Sequence, residues 1–142
     1  MWIFTNKSFL SAVKHRDKPE TIILRARLRN HLEEFIGDNC RGIWVIKGDK
    51  KARGVFALEV YETPYADYRF RVELPAEVFE DAVRVAASRI TYDNFKNSIE
   101  DAAYHDAAVG VWREMFEAQR VEARRDWGGG VNVTQEDDGE IA

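Results

Sequence analysis

A chain of 142 residues is long enough to bury one hydrophobic core and too short for two ordinary domains. Lys and Arg number 21 against 25 for Asp and Glu, so the molecule has no bulk attraction for nucleic acid or anionic lipid, and an anion site has to be a local patch. Its one cysteine, Cys40, excludes an internal disulfide and a thiolate metal cluster and favours a reducing cytoplasm. The opening "MWIFTNKSFLSAVK" has no positive leader and no apolar run approaches the roughly 18 residues of a membrane span, so a soluble protein without a recognisable export signal is expected.

Residues 2 to 15 alternate apolar and polar positions around a polar "NKS" break, which predicts an N-terminal β-hairpin. The charged "RDKPE" is a loop. In "TIILRARL" the residues Ile22, Leu24, Ala26 and Leu28 take one face while Ile23, Arg25, Arg27 and Arg29 take the other, a strand with one buried side. "HLEEFIG" follows as a short helix, with Leu32, Phe35 and Ile36 at helical spacing and Gly37 placed to end it. "GIWVIKGDKKARGVFALEVYE" reads as a hairpin of two strands joined by a basic turn.

"YRFRVEL" alternates again, Tyr68, Phe70, Val72 and Leu74 against Arg69, Arg71 and Glu73. Pro75 suits the first turn of a helix whose apolar stripe runs through Val78, Phe79, Ala82, Val83, Ala86 and Ile90. "TYDNFKNSI" predicts a short helical turn anchored by Phe95, since Asp and Asn favour such boundaries. From Asp101 to about Arg125, Tyr104, Ala108, Val111, Trp112, Met115 and Phe116 trace a further amphipathic helix, expected on the same core. One α+β domain is thus expected over residues 1–125, followed by a flexible, acidic and glycine-rich tail over 126–142. The glycines of "WGGGVNV" lack the Lys-Ser/Thr and the helix that a phosphate loop requires.

Arg25, Arg27, Leu28, Glu33 and Phe35 match Arg69, Arg71, Val72, Glu77 and Phe79 at one constant offset, so two strand-to-helix units look like copies. Together with added antiparallel strands they predict a ferredoxin-like, split βαβ sandwich with a mostly antiparallel sheet and its helices on one face. The segments "MWIFT…FLSAV", "LRARL", "DYRFRVEL", "ITYDNFKNSI" and "HDAAVGVWREMF" resemble a group of short uncharacterised bacterial and phage proteins. Those proteins open with Met-Trp and carry an I-x-Y-x-N-F-K segment followed by a His and a V-W pair. The resemblance covers roughly residues 1 to 117 and implies a compact α+β domain of bacterial or phage origin. It brings no activity and no catalytic residue.

If one sheet face is open, Arg25, Arg27, Arg29, Arg69 and Arg71 share it. Cross-strand pairing with Glu59 and Glu73 would make them ordinary solvent dressing. Left unpaired, they would form a platform for phosphate or for an acidic protein surface, because guanidinium forks onto both. Sheet-based RNA readers also need aromatic rings on that face. Trp2, Phe4 and Trp44 are available, but they are expected in the core, and no RNP-like segment appears.

His105-Asp106 is an HD dipeptide without the further ligands of a metal phosphohydrolase, and Cys40, beside Arg41, could have a lowered pKa but lacks a base. No catalytic set, metal site or cofactor is therefore expected. The chain reads as a non-enzymatic protein-binding domain, a bacterial or phage-encoded modulator or inhibitor of host machinery such as an anti-CRISPR or other anti-defence protein. The alternative is a nucleic-acid-binding module using the arginine-rich open face. The partner is expected to be a host or phage protein, with nucleic acid open as a ligand and no membrane; the sequence leaves the oligomeric state open, a homodimer being one option.

Overall fold

Period-two alternation draws the first part of the chain into strands whose apolar sides need a cover, and two amphipathic helices supply it. The computed structural model describes residues 1–127, and their contacts gather into two units, Met1–Thr91 and a segment from Tyr92 onward. The glycine-rich, acidic stretch from 128 lies outside the described residues. The first unit runs β1 (Trp2–Phe4), β2 (Phe9–Lys14), β3 (Thr21–Ala26), α1 (Arg29–Asn39), β4 (Trp44–Ile46), β5 (Phe56–Leu58), β6 (Tyr61–Glu62), β7 (Phe70–Pro75) and α2 (Ala76–Ser88). Five strands form one sheet in the order β1-β2-β3-β7-β6, each neighbouring pair antiparallel.

One sheet face is the core side. Leu10 and Ala12 of β2, Leu24 and Ala26 of β3, and Val72 and Leu74 of β7 cluster with Leu32, Phe35 and Ile36 of α1 and Phe79 and Ala82 of α2. The expected α+β class and antiparallel sheet, with both helices over one face, are thus present. The strand order departs from the ferredoxin-like arrangement. β3, α1 and β6 do make a split β-α-β unit, because β3 and β6 both lie antiparallel to the intervening β7. After α2, however, no strand enters the sheet among the described residues, and the place beside β3 belongs to β2, from earlier in the chain.

Other expectations need correction. The basic segment does not close a hairpin, since β4 and β5 pair in parallel, Trp44 with Phe56 and Ile46 with Leu58. The chain turns back through Gly48, whose φ of 87° suits glycine, and re-enters where Val55 and Phe56 donate to the Ile43 carbonyl. Gly37 does not end α1. It sits inside the helix, where a Cβ would lie 3.0 Å from that of Ala52, and the stop comes at Arg41 and Gly42, both at positive φ. Leu28 precedes α1 and is exposed rather than facing the core with Ala26.

The constant-offset repeat is not the structural correspondence either. Arg25 lies inside β3, whereas its proposed counterpart Arg69 precedes β7, and Val72 is fully buried where its proposed counterpart Leu28 is exposed. The register instead sets Arg25 opposite Arg71.

In the second unit a 3-10 turn at Lys96–Ser98 precedes α3 (Ala102–Asp126). The Asn94 Oδ1 accepts from the Asn97 amide at 3.1 Å, the capping turn expected of "YDNFKNS". Asp101 caps α3 by accepting from the Tyr104 amide at 2.8 Å. On α3 the Trp112 and Phe116 rings stack at 5.6 Å, and the Lys96 ammonium stands 4.0 Å from the Trp112 ring centroid.

Candidate functional site

The sheet face opposite the core carries the site. Residues directly opposite in an antiparallel pair point to the same side. The register sets Trp2 beside Ser11, Ser11 beside Arg25, Arg25 beside Arg71, and Arg71 beside Tyr61, one row across all five strands. A second pair on the same side is Phe4 with Phe9, whose rings stack at 4.5 Å and 16°. Trp2 meets Phe9 edge-on at 5.6 Å and 89°.

Trp2 is 63% exposed and Tyr61 54%. Trp2 and Phe4 are therefore not core residues as expected, because the intervening Ile3 is the β1 residue opposite Leu10 and packed against the core. Trp44 does pack against the core, its ring 5.0 Å from that of Phe56.

Arg25, Arg27 and Arg71 are brought together, and a tyrosine organises two of them. The guanidinium carbons of Arg25 and Arg27 lie 4.7 Å and 4.8 Å from the centroid of Tyr68, a ring only 3% exposed. Arg27 also stands 5.5 Å from the Phe9 ring centroid, and Arg25 donates to the Ser11 hydroxyl at 2.7 Å. Tyr68 had been expected on the core side with Phe70. It lies before β7 begins, so strict alternation does not govern it, and it turns instead to the arginines.

The other two expected arginines lie elsewhere. Arg29 opens α1, where it pairs with Glu33 at 3.0 Å and donates to the Lys47 carbonyl at 2.8 Å. Arg69 pairs with Glu62 at 2.6 Å.

The pairing of charge separates these two groups. Glu59 is held by Lys47 at 2.6 Å, and Glu73 by Lys18 at 2.6 Å and by the His15 ring at 3.1 Å. The Lys18 hydrogen bond leads the effects that hold the Glu73 carboxyl below its ordinary value. Neither glutamate reaches the arginine row. Among the described residues Arg25, Arg27 and Arg71 have no carboxylate partner. The Nε atoms of Arg25 and Arg71 are buried and make no hydrogen bond there. Like charges directly opposite in a sheet are destabilising, so the Arg25–Arg71 register leaves this face short of an anion among the described residues.

The remaining candidates offer less. A cleft of about 210 Å³ is lined by Glu33, Asp38, Asp49, Lys51 and Arg53, but its charges are mixed, and Lys7 already holds Asp38 at 3.1 Å. Cys40 is buried, and burial, then the Asp81 carboxylate, pushes its thiol up to about 11, opposite to the lowering that Arg41 could have brought. His105 lies 3.4 Å from the neighbouring Asp106 within α3. No helix among the described residues is long and apolar enough to cross a membrane.

Ser11 and Phe9 were not singled out in the sequence, and Tyr68 was read there only as a member of the apolar side of its strand. The alternation Phe9, Ser11, Val13 against Leu10 and Ala12 was the available signal for the first two. No protein-family model, curated protein or solved structure matches this chain.

Proposed function

We propose that this chain is a non-enzymatic binding domain that acts by laying the outer face of its five-stranded sheet on a negatively charged partner. One observation carries this reading: among the described residues, the arginines facing out from β7 and from β3 and its end lack the carboxylates that neutralise four other basic side chains of this unit. Arg29, Arg69, Lys18 and Lys47 each have an acidic partner within 3.0 Å, whereas among the described residues Arg25, Arg27 and Arg71 have none. A face that only met water would gain by the same pairing. Exposed Trp2 and Tyr61 at the two ends of the row add the residue types that, with arginine, dominate binding energy at interfaces. An inhibitor of host machinery is the specific form of this reading that the bacterial or phage resemblance suggests.

The test compares immobilised wild type, an Arg27→Glu/Arg71→Glu variant, and an Arg113→Gln control on the exposed side of α3. A partner retained by wild type and control but lost by the double variant, with its circular dichroism unchanged, supports the reading. A partner held equally by all three proteins contradicts it.

A further inference from the structure

Resting on the outer-face reading, we infer that the ligand of this face is a single-stranded nucleic acid, its backbone phosphate taken by Arg25 and Arg71 and a base stacked on the exposed Trp2 ring of β1. The charge geometry points to phosphate. A tetrahedral phosphate can accept from two guanidinium forks at once, and two like-charged arginines opposed in register need one ligand that serves both. The arrangement is preorganised on one side. Arg25 is fixed by the Ser11 hydroxyl at 2.7 Å and by the Tyr68 ring beneath it, so little side-chain freedom remains to be lost on binding.

The aromatic rings decide between a nucleic acid and an acidic polypeptide. Trp2 lies on the same register row as Arg25, two strands and so about 10 Å away. Phe4 and Phe9 stack on each other next to it, and Arg27 approaches Phe9 from the β3 side. Alternating cationic and aromatic groups on a sheet match a polymer that alternates phosphate and base, and stacking contributes about 1–3 kcal/mol per base without regard to sequence. A duplex fits poorly. Its bases are already stacked, and a broad sheet face enters neither groove. The formal net charge of −4 confines attraction to this patch and makes binding depend on salt.

Fluorescence anisotropy on the whole protein tests this with four labelled probes: a uridine dodecamer, a thymidine dodecamer, a mixed-sequence DNA duplex and a poly-glutamate peptide. Each is measured at low and at physiological salt. One or both single strands should bind more tightly than duplex and peptide, and weaken as salt rises. Arg71→Gln should lower that affinity at least about tenfold and reduce the salt dependence, because a phosphate contact is lost. Trp2→Ala should lower affinity by a similar factor and leave the salt dependence unchanged, since stacking releases no counterion. Equal loss of salt dependence in both variants would overturn the assigned roles.

Binding of poly-glutamate but of neither single strand, sensitive to Arg71→Gln, would overturn the nucleic-acid inference and keep the outer-face reading. Single-strand binding untouched by either substitution would place the ligand elsewhere and overturn both. No binding of any probe at low salt would overturn the nucleic-acid inference, and the partner-retention comparison of the face variants would then decide the outer-face reading by itself.

Discussion

Replacing Arg71 by glutamine should leave the fold as stable as before or make it more stable, which is the reverse of what removing a structural arginine does. Arg71 stands opposite Arg25 and has no acidic partner among the described residues, and its buried Nε lacks an acceptor there. Relief of a like-charge cross-strand pair contributes about 0.2–1 kcal/mol, and removal of an unsatisfied buried donor adds about 1 kcal/mol more. Against this stands the lost cover from the longer arginine stem, about one methylene or 0.8 kcal/mol. The balance falls between about +0.4 and +1.2 kcal/mol, a rise in melting temperature of up to several degrees for a unit of this size. Arg69→Gln is the comparison. It breaks the 2.6 Å pair with Glu62 and should lower stability by up to about 1 kcal/mol. Urea unfolding of the three proteins, with unchanged m-values, reads the sign directly. An Arg71→Gln protein less stable than wild type by more than about 1 kcal/mol would refute the reasoning, because it would show that Arg71 has a partner within the protein.

Cys40 should resist a thiol reagent in the native protein even at pH 9 and react at once in denaturant, since burial holds its thiol near 11. Gly54→Ala should destabilise by about 1–3 kcal/mol in chemical denaturation, because the new Cβ would sit 3.0 Å from the Trp44 carbonyl carbon and the Val45 Cβ, and backbone yields little. Phe35→Ala, in a fully buried core position, should cost about 3–5 kcal/mol by the same measurement. Glu73→Gln should flatten the acid side of the pH–stability profile. The folded Glu73 carboxyl lies below its ordinary value of 4.5, so its stabilisation is complete above that value and lost as pH falls through the depressed one. The stability gap between wild type and Glu73→Gln should therefore be widest near neutrality and close in acid.

The elements legible in the sequence were those whose pattern was fixed by one buried side. β2, β3, β7 and α2 lie close to where their periods of 2 and 3.6 set them, although Ile90 falls beyond α2 and is exposed, and α3 forms as a helix but leaves Val111 and Met115 of its expected stripe exposed. What failed was decided by neighbours. Nothing local distinguishes a parallel β4–β5 pair from a hairpin, because both present the same apolar runs. Gly37 carries the sequence mark of a helix end, but contact with Ala52 explains it equally well. At the site, alternation placed Arg25, Arg27 and Arg71 correctly on one face. Arg29 failed because the chain had already turned into α1, and Arg69 because Glu62 on the adjoining strand holds it. Hydrophobicity sent Trp2 and Phe4 to the core, although their own alternation with Ile3 carried the opposite message. Tyr68 was out of reach, since only the folded register brings Arg25 and Arg27 over its ring.

The most direct measurement follows the arginine Nε–H resonances of the isotopically labelled protein while a partner of this face, the uridine dodecamer first, is added. The buried Nε–H groups of Arg25 and Arg71 should give slowly exchanging signals that shift together on binding. The Trp2 indole and the backbone amides of the Trp2-to-Tyr61 row should move with them, while Arg29 and Arg84, the latter paired with Asp81 on α2 at 2.6 Å, stay where they were. Binding that moves resonances of α1, α2 or α3 and leaves Arg25, Arg71 and Trp2 unshifted would contradict the assignment of this face as the binding surface.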